Sequence, residues 1–104
     1  MTISSSKKSE STKWLEKKAG GPLTIAALMI SIRLGEELPQ VEFAELLGIS
    51  RSHLCDIEKG RKGLSPARAS LFAQKLGYSE TLFVKLALQD LLVREGVRLT
   101  VEVA

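Results

Sequence analysis

Residues 40–60, QVEFAELLGISRSHLCDIEKG, constrain the fold more tightly than any other stretch of this chain. Phe43, Ala44, Leu47, Ile49, Leu54 and Ile57 recur at helical spacing on either side of Gly48, with charged or hydroxyl residues between them. Each half therefore predicts a short helix with one face turned to a core and the other left for a partner. Gly48 ends the first helix, because a residue without Cβ enters the left-handed conformation at no steric cost. Ser50 begins the second, its side-chain oxygen placed to accept from a free N–H of the first turn, and Gly60 closes it. So short a connection makes the two helices cross steeply, and the small side chain of Ala44 lets their backbones approach.

Such a pair is a helix-turn-helix, and its residues resemble a known family, the phage-repressor and Cro-like (XRE) DNA-binding domains. The resemblance rests on Gln40 opening the first helix, Ala44 four residues later, the turn Leu47-Gly48-Ile49-Ser50, Leu54 and Ile57 within the second helix, and Ile57-Glu58-Lys59-Gly60 closing it. More loosely it extends over Leu23 to Leu86, leaving both chain ends outside. It implies an all-α, five-helix, lambda-repressor-like domain that binds double-stranded DNA. It also implies an ion pair between Arg33, late in the first helix of the bundle, and Glu58. A helical hairpin in some other small bundle is the plainer alternative.

At 104 residues the chain holds one domain, and 44% hydrophobic residues suffice for a core. The longest apolar run, Ile25 to Ile30, is too short to cross a bilayer, so no membrane association is expected. Met1 to Ser11 lacks the apolar segment of a secretory signal, and a single cysteine excludes an intramolecular disulfide. Both point to the cytoplasm. A net charge of +3 and a pI near 9.2 are only mildly basic, and the placement of the cations says more than their sum.

Residues 1–20 read as a flexible basic arm, rich in Ser, Thr and Lys, with Lys7, Lys8, Lys13, Lys17 and Lys18 available to DNA phosphates or a minor groove and a solubilising role as the alternative. Trp14 and Leu15 are placed to begin a helical turn that docks on the body. Residues 21–78 form the DNA-binding unit. Thr24 caps a first helix whose densest apolar stripe is Ile25, Leu28, Met29 and Ile32, ending near Gly35. Pro39 departs from the family, where a Ser or Thr usually caps the next helix: proline fits sterically but supplies no capping oxygen. Ser65-Pro66 starts a fourth helix ending at Gly77, with Ala69, Phe72, Ala73 and Leu76 on its buried side. Residues 79–104 comprise a fifth helix, capped by Ser79, and a short strand over Arg98 to Val103 in which apolar and polar residues alternate. Leu82 to Val93 carry more apolar faces than one small domain covers, and no other segment reads as the strand's mate. Both features predict a homodimer built on this C-terminal segment.

The exposed side of the second motif helix carries Arg51, Ser52, Cys55 and Asp56, a set sized for the major groove, where base edges differ in their donors and acceptors. Arg51 suits a bidentate contact with guanine, and Ser52 donates or accepts. Asp56 is able to accept from a cytosine amino group, to orient Arg51, or to repel wrong sequences. By resemblance Gln40, Ser50, Arg51, Ser52 and Asp56 hold positions that face DNA, with Gln40 bracing the first recognition residue or touching a phosphate. Cys55 is a small contact residue there, a redox switch being the weaker reading because no cation adjoins it in sequence. Lys59, Arg61, Lys62 and Arg68 follow as a cluster placed to straddle the phosphate backbone, with His53 on the phosphate side.

No nucleophile–base set, tuned carboxylate pair or glycine-rich phosphate loop is legible, and one histidine with one cysteine builds no repeated metal ligand set. The expectation is a non-enzymatic protein without cofactor or metal: a transcriptional regulator, in the first instance a repressor, acting as a homodimer on a palindromic operator. The alternative is the antitoxin of a toxin–antitoxin pair, the same domain with a terminal extension that neutralises a cognate toxin.

Overall fold

The computed structural model describes residues 2–3 and 23–102 of the chain. Among them, five helices follow one another: α1 Ile25–Gly35, α2 Gln40–Leu47, α3 Arg51–Glu58, α4 Pro66–Leu76 and α5 Glu80–Arg94. Four of the five begin on a hydroxyl residue in extended conformation whose oxygen accepts from the third residue on. Thr24 accepts from the Ala27 N–H, Ser50 from His53, Ser65 from Arg68 and Ser79 from Leu82. The exception is α2, whose N-cap Pro39 has the extended geometry but makes no side-chain bond. Loss of one such oxygen leaves an orphan helix donor. Accordingly Ser79→Ala is expected to destabilise the protein by about 1 kcal/mol, read as a lowered denaturant midpoint at unchanged slope.

The helix ends are as local as their starts. Gly48 closes α2 with φ 75°, and its N–H and that of Ile49 return to the carbonyls of Glu45 and Ala44. A Cβ there would be strained and would meet the Lys75 amine at 3.1 Å. That amine donates to the Leu47 carbonyl at 3.2 Å, so α4 caps the C-terminus of α2. The α4–α5 turn is held by Glu80, whose carboxylate accepts from Gln74 Nε2 at 2.6 Å and Ser70 Oγ at 2.5 Å. These two bonds, that from Gln74 first, hold its carboxyl below the usual carboxylate range.

The core draws on every helix. Ile25, Leu28, Met29 and Ile32 of α1 meet Phe43, Ala44 and Leu47 of α2 and Leu54 and Ile57 of α3, while Ala69, Phe72, Ala73, Phe83, Leu86 and Ala87 join from α4 and α5. The helix α5 thus shares the core of the motif. Its apolar surplus is smaller than the sequence suggests: Leu82, Val84, Leu88 and Leu92 are half-buried, while Leu91 and Val93 stay exposed.

Three expectations are corrected at the chain ends. The strand expected over Arg98–Val103 is confined, among the described residues, to β2, Val101–Glu102; Val103 lies outside them. Its mate is not a second copy of the chain. It is β1, Thr2–Ile3 of the same chain, antiparallel with Ile3 opposite Val101 and Thr2 opposite Glu102. The arm expected to be unstructured therefore contributes a strand at its very start; the rest of it, with its lysines, Trp14 and Leu15, lies outside the described residues. Two β-branched residues in a Ser- and Lys-rich stretch are too few to register as a strand period. Gln89 fixes the tail to α5, donating to the Leu99 carbonyl at 2.8 Å and accepting from the Val101 N–H at 2.9 Å, with the Val101 side chain fully buried.

Candidate nucleic-acid interface

Helix α3 is amphipathic in the sense that matters for a partner. Leu54 and Ile57 are fully buried, whereas Arg51 and Ser52 in its first turn are exposed. Ser50, just before it, keeps its hydroxyl oxygen on the His53 N–H at 3.0 Å. The first turn of α3 therefore offers a guanidinium and a hydroxyl on a rigid start.

The other end of α3 is tied to the body. Glu58 has a side chain only 5% exposed, and its Oε2 accepts from Arg33 Nε at 2.8 Å while Oε1 accepts from Arg33 Nη2 at 3.0 Å. This planar two-bond fork joins α1 to α3. Arg33 Nη1 donates further to the Leu38 carbonyl at 3.2 Å, and Gln40 Nε2 donates to Glu58 Oε1 at 3.1 Å. Gln40, half-buried at the start of α2, thus has its amide nitrogen committed to the fork and braces α2 against α3.

The cations form a shelf beyond the C-terminus of α3. Lys59, Arg61, Lys62 and Arg68 are all exposed. His53 is half-buried beside Arg68, with Nε2 3.4 Å from the Arg68 Nη1. Burial, then the charges of Arg68 and Lys62, hold its pKa below the ordinary histidine value, Asp56 opposing. Asp56 is turned to this shelf, accepting from Arg61 Nε at 3.0 Å and lying 3.5 Å from Lys62 Nζ. Cys55, a half-buried free thiol, is 3.9 Å from Arg61 Nη2, so a cation adjoins it in space though none does in sequence. At the far edge Arg94 Nη2 donates to the Gly60 carbonyl at 2.8 Å, linking the end of α5 to the turn after α3.

A sequence model of the helix-turn-helix family matches residues 29–83, more than half of the chain. The chain belongs to the XRE-type helix-turn-helix family. It is, as such, a DNA-binding protein of the transcription-regulating kind. The chain is similar in fold to the restriction-modification controller protein C.Esp1396I, with 20% identity and a TM-score of 0.50 over 76% of this chain and 94% of that one. It is likewise similar to a hypothetical transcription factor, NHTF from Neisseria, at 17% identity and a TM-score of 0.53 over 88% and 97% of the two chains. At these identities the likeness is one of fold. Comparison with curated proteins gives no match.

Within the helix-turn-helix frame, the structure brings Ser50, Arg51 and Ser52 together at the start of α3 and gathers His53, Lys59, Arg61, Lys62 and Arg68 around its flank and end. Asp56 and Gln40 are engaged within the protein, through the shelf and the fork respectively. Sequence reasoning missed the contacts of Asp56 with the two cations after the turn, of Gln40 with Glu58, of Lys75 with the end of α2 and of Arg94 with Gly60. The Asp56 pairs carried a faint signal, since a helix stopped by glycine commonly folds the following residues back on its last turn. Among the described residues no helix is long and apolar enough to cross a membrane.

Proposed function

We propose that the chain represses transcription by binding a palindromic operator as a homodimer, with α3 in the major groove of each half-site. The supporting observation is the division of labour along α3: its first turn leaves Arg51 and Ser52 free, while its last turn is fixed to α1 and α2 through Glu58. A reading helix needs both, because a bidentate base contact is worth little on a mobile support. In this reading Arg51 and Ser52 contact base edges, with Ser50 and Cys55 at the margin of the same surface, and Gln40 holds the helix rather than reading a base. Lys59 and Arg68, with His53 beside Arg68, take phosphates. The DNA-binding unit spans residues 21–78 and residues 79–104 supply the dimer contact. The exposed apolar side chains Val93, Val97 and Leu99 at that end support it.

Two substitutions separate readout from anchoring. Arg51→Ala is expected to lower discrimination at one base pair by roughly 1–3 kcal/mol while leaving binding to scrambled DNA nearly intact. Lys59→Ala is expected to weaken all sequences alike and to lower the salt slope by about one unit. Titrations on a selected and a scrambled duplex at several salt concentrations measure both. Equal losses for Arg51→Ala on the two duplexes would reduce Arg51 to a phosphate contact and remove the groove assignment of α3.

A further inference from the structure

We infer that Asp56 is a specificity-determining residue that restrains Arg61 and Lys62 from sequence-independent contact with phosphates; this rests on the DNA-binding reading above. Asp56 engages those two residues at two levels. Its backbone carbonyl accepts from the N–H of Arg61 at 2.8 Å and of Lys62 at 3.2 Å, which fixes the direction of the turn. Its carboxylate then meets both side chains, Oδ1 with Arg61 Nε at 3.0 Å and Oδ2 near Lys62 Nζ at 3.5 Å. The acid lies beneath, with 24% of its side chain exposed, and the cations lie above it at 58% and 59%.

Pairs this exposed are weak, so a phosphate oxygen can displace the carboxylate. Their effect on DNA binding comes from charge rather than strength. A protein cation gains affinity for DNA by replacing condensed counterions. A cation already facing an internal carboxylate gains less. Sequence-independent binding draws essentially all its affinity from phosphates and is weakened most. Once Arg51 and Ser52 have seated the helix on bases, the neighbouring phosphates are held beside the basic turn. The exchange of carboxylate for phosphate then proceeds within a formed complex, at high effective concentration. Asp56 acts through Arg61 and Lys62 and is a positioning residue, not a base contact.

Asp56→Asn removes the charge and keeps the shape and the backbone carbonyl; Asp56→Ser guards against an effect peculiar to the amide. The full chain is titrated, across a salt series, with a scrambled duplex of about two helical turns and with the tightest duplex of that length selected from a random pool. Both variants are expected to bind the scrambled duplex about tenfold more tightly than the parent, with a salt slope steeper by about one unit. The gain on the selected duplex is expected to be smaller, and Arg61→Ala with Lys62→Ala should abolish it on both. Unchanged or weaker binding to scrambled DNA overturns the inference, as does a gain that survives removal of both cations. A loss confined to the selected duplex would make Asp56 a base contact instead. If the unsubstituted protein bound neither duplex in a salt-dependent way, the DNA reading itself would fail and the inference with it.

Discussion

Glu58→Ala is expected to cost about 3 kcal/mol of folding stability or more. The carboxylate it removes receives both bonds of the Arg33 fork and the Gln40 amide, and its side chain is only 5% exposed. Arg33, 16% exposed, would keep its charge with the Leu38 carbonyl as its remaining partner. An uncompensated charge in such a place is worse than no charge, so Arg33→Met combined with Glu58→Leu should cost less than Glu58→Ala alone. The guanidinium pKa is raised, chiefly by the hydrogen bond to Glu58 and against the effect of burial. A raised folded-state pKa means stability that is fully present below the ordinary arginine value and lost only above it, so no accessible alkaline titration removes it. Urea unfolding of Arg33→Met, Glu58→Leu and their double forms a cycle. A coupling near zero would mean that the fork is an ornament of the fold and that α3 is held by its apolar residues alone.

Placing glutamates at Val93 and Leu99 together is expected to abolish dimerisation and to weaken binding to a two-half-site duplex by about a hundredfold or more. These side chains are 66% and 53% exposed, and with Gln89, Val97, Arg98 and Thr100 they line one open cavity between the end of α5 and the tail. Charges there leave the core untouched, so the thermal midpoint of the isolated subunit should hold. A two-fold contact carries each charge twice, once from each subunit, doubling the penalty. In the proposed dimer two α3 helices stand one DNA turn, roughly 34–36 Å, apart; a monomer engages one half-site only. Point substitutions test this better than truncation, because Val101 is buried and the tail is bonded to Gln89. Sedimentation that shows an unchanged dimer would move the subunit contact elsewhere.

Much of this architecture is legible in the sequence because its signals are short-range. A hydroxyl at Thr24, Ser50, Ser65 or Ser79 acts on an N–H three residues away, and Gly48 decides its own φ. The stripe Ile25, Leu28, Met29, Ile32 emerges as the buried face of α1 for the same reason: a period of 3.6 needs no knowledge of the rest of the chain. The pairing of Arg33 with Glu58 spans 25 residues and is beyond any local rule; the family resemblance, not the physics of either residue, pointed to it.

The contacts that the sequence left open are those between residues that meet only after folding. Alternation from Val97 onward indicated a strand, but its mate lies at the opposite end of the chain, and two residues of β1 are too few to announce themselves. Asp56 was equally compatible with a base edge, with Arg51 and with solvent. The return of the chain after Gly60 turned it to Arg61 and Lys62, because that turn places two N–H groups on its carbonyl and so brings both cations within reach. The sequence by itself determined where helices begin and end and, for all but α5, which face is apolar, since those are fixed within one or two turns of backbone. Tertiary structure alone decided which charges are spent inside the protein and which stay free, since a charge is partnered by whatever the completed fold sets within a few ångströms of it.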